Sequence, residues 1–104
     1  MGKRKWTYDE DYLCCERYIR MYCIKQHEPS IVPLLKELSS LLPHFSVDSL
    51  RRNIQNIKHL TVEKNIYDSL DYVPNDHCPP QCRLAFDEAI ANTSEELLVY
   101  IVDD

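Results

Sequence analysis

Glycine is almost missing from this sequence: Gly2 is the only one in 104 residues. Tight β-hairpins lean on glycine at positive φ, so a fold of many strands is excluded and a helical one is expected. A basic excess is missing too. The net charge is −5, which gives no bulk attraction to nucleic acid. No apolar run is long enough to span a bilayer, so no membrane partner is expected. No apolar stretch follows MGKRKW, so a secretory signal is not expected. Trp6 stands where a myristoylation signal carries Ser or Thr. The chain also lacks a P-loop, GxSxG, HExxH and any glycine-rich fingerprint. Neither catalysis nor a cofactor is expected.

What is present suits one globular domain over residues 1–104. Apolar residues make up 44% and charged residues 28%, ordinary values for such a domain. The five cysteines are an odd number, and Cys14 adjoins Cys15. Reduced, buried thiols in a cytoplasmic protein are the expectation. His77, Cys78 and Cys82 raise the question of a metal. Cys78 and Cys82 are separated by two prolines and no second paired cysteine motif exists, so no metal is expected. Asp76, His77 and Cys78 are sequence neighbours, which rarely adopt triad geometry.

Helical periodicity organises the chain. Residues 1–5 form a basic arm. Thr7 and Glu10 have capping-box spacing ahead of a helix over about Tyr8–Gln26. Its stripe is Tyr8, Tyr12, Cys15, Ile19, Tyr22 and Cys23. Leu13, Met21 and Ile24 lie off that stripe, so contact on two sides is expected. Ser30 is placed to cap a second helix through Leu42, with Pro33 in its first turn. Its apolar stripe, Ile31, Leu34, Leu35, Leu38, Leu41 and Leu42, is the cleanest in the chain. Ser46 caps a third helix to Leu60. Thr61 would cap one or two further turns. Residues 71–80 form a proline-rich loop. A later helix over Gln81–Ala91 turns Cys82, Ala85, Phe86, Ala89 and Ile90 inward. Thr93 or Ser94 starts a last element containing LLVYIV. The expected fold is all-α, a compact bundle of about four to five helices with a helix-turn-helix-like core.

The functional candidate is Ser46–Leu60. Val47, Leu50, Ile54 and Ile57 share one face, while the opposite side carries Arg51, Arg52, Asn53, Gln55, Asn56, Lys58 and His59. Arginine can fork onto phosphate or guanine, and Asn and Gln can pair with adenine. Arg51, Arg52, Asn53, Gln55, Asn56 and Lys58 are therefore taken as a double-stranded-DNA-binding set, with Lys3, Arg4 and Lys5 as an arm for phosphates or the minor groove. The competing account is an ordinary solvated helix face. Useful specificity from so small a module calls for a homodimer on two half-sites.

Trp6-Thr7-x-x-Glu10-x-x-Leu13, with Tyr18 further on, resembles the tryptophan-led first helix of Myb/SANT-type modules. More closely it resembles the small helical domain ahead of HNH or restriction-type nuclease domains in bacterial proteins. Leu50-Arg51-Arg52-Asn53-Ile54-Gln55-Asn56-Ile57-Lys58 and Gln81-Cys82-x-x-Ala85-Phe86-x-x-Ala89 are similar to later stretches of that group. The resemblance covers most of residues 6–90 and implies a DNA-targeting or DNA-sensing regulator without catalysis. The acidic total and the missing glycines depart from the pattern. A second function is therefore carried forward: a protein-interaction module, or a phage or mobile-element inhibitor of a nucleic-acid-processing host enzyme. Its acidic surface would act through Asp9–Asp11, Asp68, Asp71, Asp87, Glu88 and the tail acids.

Overall fold

A computed structural model describes residues 5–75 and 78–94. Every regular element among these residues is helical. α1 (Tyr8–Tyr18) runs directly into a wider π-helical segment, Ile19–Ile24. α2 spans Val32–Leu41, α3 Val47–Glu63 and α4 Pro80–Asn92. Thr93, expected with Ser94 as a start of the last element, is the C-cap of α4; the rest of that element, residues 95–104, lies outside the described residues.

Short polar side chains set the helix starts. Thr7 Oγ1 accepts from Glu10 N at 3.2 Å, and Glu10 Oε1 accepts from Thr7 N at 2.9 Å, completing the capping box. Ser46 Oγ accepts from Ser49 N at 3.1 Å and caps α3. Ser30 stands further out than expected. Its hydroxyl accepts from Val32 N at 3.2 Å, but the helix begins only at Val32. At α4 the two prolines do the work: Pro80 occupies the first helical position, where its missing amide costs no helical bond.

The shortage of glycine reappears at the helix ends. Gln26 and Asn65 take positive φ, 54° and 57°. At the end of α3, Ile66 N donates to Thr61 O at 2.9 Å and Asn65 N to Val62 O at 3.2 Å, the paired bonds of a Schellman cap. Asn tolerates this conformation, whereas Gln at position 26 bears its full steric cost. We expect Gln26→Gly to raise the unfolding free energy by about 0.5–1 kcal/mol. The check is a denaturant melt of both proteins with unchanged slope.

Thr61 does not start a new helix. α3 continues through it to Glu63, and Ile66–Leu70 is irregular. Thr61 is fully buried, and its hydroxyl donates to Asp68 Oδ2 at 2.6 Å. Thr61 thus anchors the segment after α3.

The core forms where the helices converge. α1 packs most extensively on α4, while α3 touches all three other helices. Tyr18, Ile19, Tyr22, Leu34, Leu38, Leu50, Ile54, Ile57, Leu60 and Phe86 are fully buried. Each such side chain contributes roughly 1.5–3 kcal/mol relative to exposure. Cys14 and Cys15 point to different sides of α1 and are both fully buried, so α1 is indeed covered on two sides. All five thiols are free. Trp6 stacks on Phe45 with ring centroids 4.0 Å apart and planes 9° apart. This contact pins the chain before α1 onto the α2–α3 link. No helix among the described residues is long and apolar enough to cross a membrane.

Candidate nucleic-acid interface

The packing of α3 decides which of its polar residues can meet a ligand. Because α3 touches three other helices, its buried arc is wide. It takes in Asn53, Asn56 and Thr61 beside Leu50, Ile54, Ile57 and Leu60. The polar face read from the sequence is consequently divided. Arg51 and Arg52 are exposed. Gln55 and His59 are half-buried. Asn53 and Asn56 are withdrawn into the fold, at 5% and 9% exposure.

Lys58 is withdrawn as well. Its Nζ donates to Asp68 Oδ1 at 2.7 Å and to Leu70 O at 2.8 Å. The Asp68 side chain is only 2% exposed. Lys58 therefore neutralises a buried carboxylate instead of facing solvent. The loop after it also runs along α3, with Asn75 N donating to the Gln55 backbone carbonyl at 3.1 Å. Among the described residues Arg51 pairs loosely at the surface with Asp48 at 3.7 Å, and such pairs contribute little. Lys5 is exposed. Lys3 and Arg4 lie outside the described residues.

A cleft of about 510 Å³ opens beside this edge. Four of its lining residues, Ser49, Arg52, Asn53 and Asn56, come from α3 at spacings of three, four and seven residues, which makes one helix face. Lys5 and Trp6 supply the wall ahead of α1, Asp11 comes from α1, and Pro79, Pro80 and Gln81 come from the start of α4. Gln81 ties these parts together. Its Nε2 donates to Trp6 O and to Asp11 Oδ2, both at 2.8 Å. One buried polar atom on the α3 face, Asn56 Oδ1, has no hydrogen-bond partner among the described residues. Asn53 Oδ1 is engaged, accepting from Cys82 Sγ at 3.8 Å.

Asp11 is 3% exposed, and burial raises its pKa above the usual 3.8 despite hydrogen bonds from Gln81 and Asn53. Between the unfolded and folded values the native state holds a proton that the unfolded chain has lost. Stability therefore falls as pH rises through that window, and above it the ionised, buried Asp11 is a standing cost. Asp11→Asn keeps an acceptor for Gln81 and removes the charge. We expect a melting temperature several degrees above wild type at pH 7, with the gap closing as pH falls through the window toward 3.8. Thermal melts across pH provide the check.

Four of the thiols are buried and Cys78 is half-buried. Burial pushes the Cys14 thiol up to about 12. Cys78 is also raised, first by its hydrogen bond with Cys82 and then by burial, so both remain protonated at neutral pH. No group of three or more potential metal ligands comes together among the described residues. Asp76 and His77 lie outside them.

Spacing alone could have revealed the Ser49–Arg52–Asn53–Asn56 face. Asp11 and Gln81 meet across 70 residues, and no local signal joins them. No protein-family model, curated protein or solved structure matches this chain.

Proposed function

We propose that the chain is a non-catalytic, helix-turn-helix-like module that binds duplex DNA chiefly through phosphates, with Lys5, Arg51 and Arg52 as its contacts. One observation carries this reading. Arg52 is exposed, makes no ion pair among the described residues, and shares the edge of one cleft with Lys5, with Arg51 next to it. α2, the short link through Phe45 and α3 follow one another closely, which supports a helix-turn-helix-like reading. The resemblance of Trp6–Leu13 and Leu50–Lys58 to nuclease-associated modules supports the same class. Asn53, Asn56 and Lys58 leave the list of candidates for reading a base pair in a groove, because the two amides are buried and Lys58 is bonded to Asp68. The reading is thereby narrowed to phosphate contact, with Gln55 the one amide on the outer side of α3.

About three phosphate contacts imply a salt slope of roughly −2.7, and a loss of about fortyfold in affinity between 50 and 200 mM salt. An electrophoretic shift at low salt with a paired duplex tests this. Retention that is insensitive to salt, or unchanged in Arg51→Glu/Arg52→Glu, refutes it.

A second reading, a protein-interaction module, is favoured by the outer side of α4. Leu84, Asp87, Glu88 and Ala91 fall at helical spacing and are exposed, Leu84 by 62%. Asp87 already pairs with Lys64 at 2.9 Å, and Glu88 accepts from the Tyr8 hydroxyl, so the acidic charge there is partly engaged. This reading gains if duplex is not retained while a basic partner is bound and Leu84→Lys releases it.

A further inference from the structure

The cleft beside α3 is built differently at its rim and its floor. Lys5 and Arg52 are exposed cations at the rim. Asp11, Asn53 and Asn56 are buried at the floor. Trp6, held flat against Phe45, and the Pro79–Pro80 pair give apolar walls. The floor holds one unpartnered polar atom among the described residues, the acceptor Asn56 Oδ1, beside the Asn53 amide that faces Asp11. A buried polar atom without a partner costs about 1–3 kcal/mol. Folded proteins seldom keep such an atom unless something else pairs with it.

These features define the ligand. The rim selects an anionic group. The floor selects a neutral edge that offers a donor to Asn56 Oδ1, since the Asp11 carboxylate disfavours a second negative charge there. The walls select a flat ring. The volume lies within the range of small-molecule sites, about 300–1,000 Å³. We propose that the cleft binds one nucleotide, its phosphate on Arg52 and Lys5 and its base edge on Asn56. A free nucleotide and an unpaired nucleotide in a DNA strand present the same chemistry. The proposal shares two cations with the DNA surface above but does not require that a paired duplex bind.

Trp6 is the only tryptophan, so its indole N–H gives a single resonance in a proton–nitrogen correlation spectrum. The full chain is titrated at low salt with each of the four deoxynucleoside monophosphates, with inorganic phosphate, and with duplexes that are fully paired or carry one bulged nucleotide. We expect a saturable shift of the Trp6 indole and of the Asn53 and Asn56 side-chain amides, with a Kd of about 1 mM or tighter for the best free nucleotide. Arg52→Glu should weaken it about tenfold. Asn56→Ala should remove differences between bases while keeping the melting temperature near wild type, and Asn56→Ser is the second variant should alanine unfold the protein.

A response to free nucleotides identifies a small-molecule source, and a response only to the bulged duplex identifies a strand. Either supports the proposal. Shifts with phosphate that no nucleotide exceeds, or silent Trp6 and amide resonances throughout, overturn it. If the paired duplex is retained while these resonances stay silent, the nucleotide site fails and the DNA reading survives. If only nucleotides act, the reverse holds.

Discussion

Lys58→Met should lower the unfolding free energy by about 3–5 kcal/mol, the usual consequence of removing one partner from a buried ion pair. Asp68 is the reason. Its side chain is 2% exposed and receives Lys58 Nζ at 2.7 Å, Thr61 Oγ1 at 2.6 Å and Leu70 N at 3.1 Å. Without the ammonium, a buried carboxylate keeps one hydroxyl and one amide and has no countercharge. The damage spreads along the segment that Asp68 anchors. Ser69 N donates to Tyr22 O at 2.8 Å, and its hydroxyl donates to His27 O at 2.6 Å, so this segment also braces the end of the first helix. For a domain of this size the melting midpoint should drop by roughly 12 °C or more. Lys58→Met/Asp68→Leu should recover part of the loss, because it removes the orphaned charge as well. Circular-dichroism melts of the three proteins measure both effects. A midpoint that does not move in Lys58→Met would return Lys58 to solvent and to the list of DNA contacts.

Lys58 also shows where the sequence stops being legible. Helix starts are readable because their chemistry is local: Thr7 with Glu10 and Ser46 with Ser49 bond within three residues. Core stripes are readable because apolar spacing reports burial directly, and Cys82, Ala85, Phe86 and Ala89 lie inward as spaced. A polar residue carries no such signal. Asn53 and Asn56 flank Ile54 and Ile57 and look like part of an outer face, yet three helices close around α3 and take them in. Thr61 has the chemistry of a cap, but its hydroxyl meets Asp68, seven residues later in an irregular segment. The cleft is still less readable. Its α3 face can be drawn on a helical wheel, but Asp11, Gln81 and the Trp6 carbonyl are assembled only by the packing of α4 on α1.

Arg51→Glu and Arg52→Glu should separate the two proposed activities, although the residues are neighbours. On an α-helix they point about 100° apart. Arg52 lines the cleft, whereas Arg51 does not and leans toward Asp48. Each reversal should reduce duplex affinity by about tenfold and make the salt slope shallower by about one. Only Arg52→Glu should also weaken the nucleotide. Both side chains are exposed, and surface changes of this kind usually alter stability by no more than about 0.5 kcal/mol, so loss of binding would not reflect unfolding. Fluorescence anisotropy with a labelled duplex, over a salt series, gives affinity and slope together. The net charge of −5 sharpens the test. With repulsion from the rest of the chain, two neighbouring guanidinium groups and the Lys5 ammonium must supply the attraction locally. If neither substitution changes duplex affinity, α3 is not the contact helix, and the outer side of α4 becomes the surface to pursue.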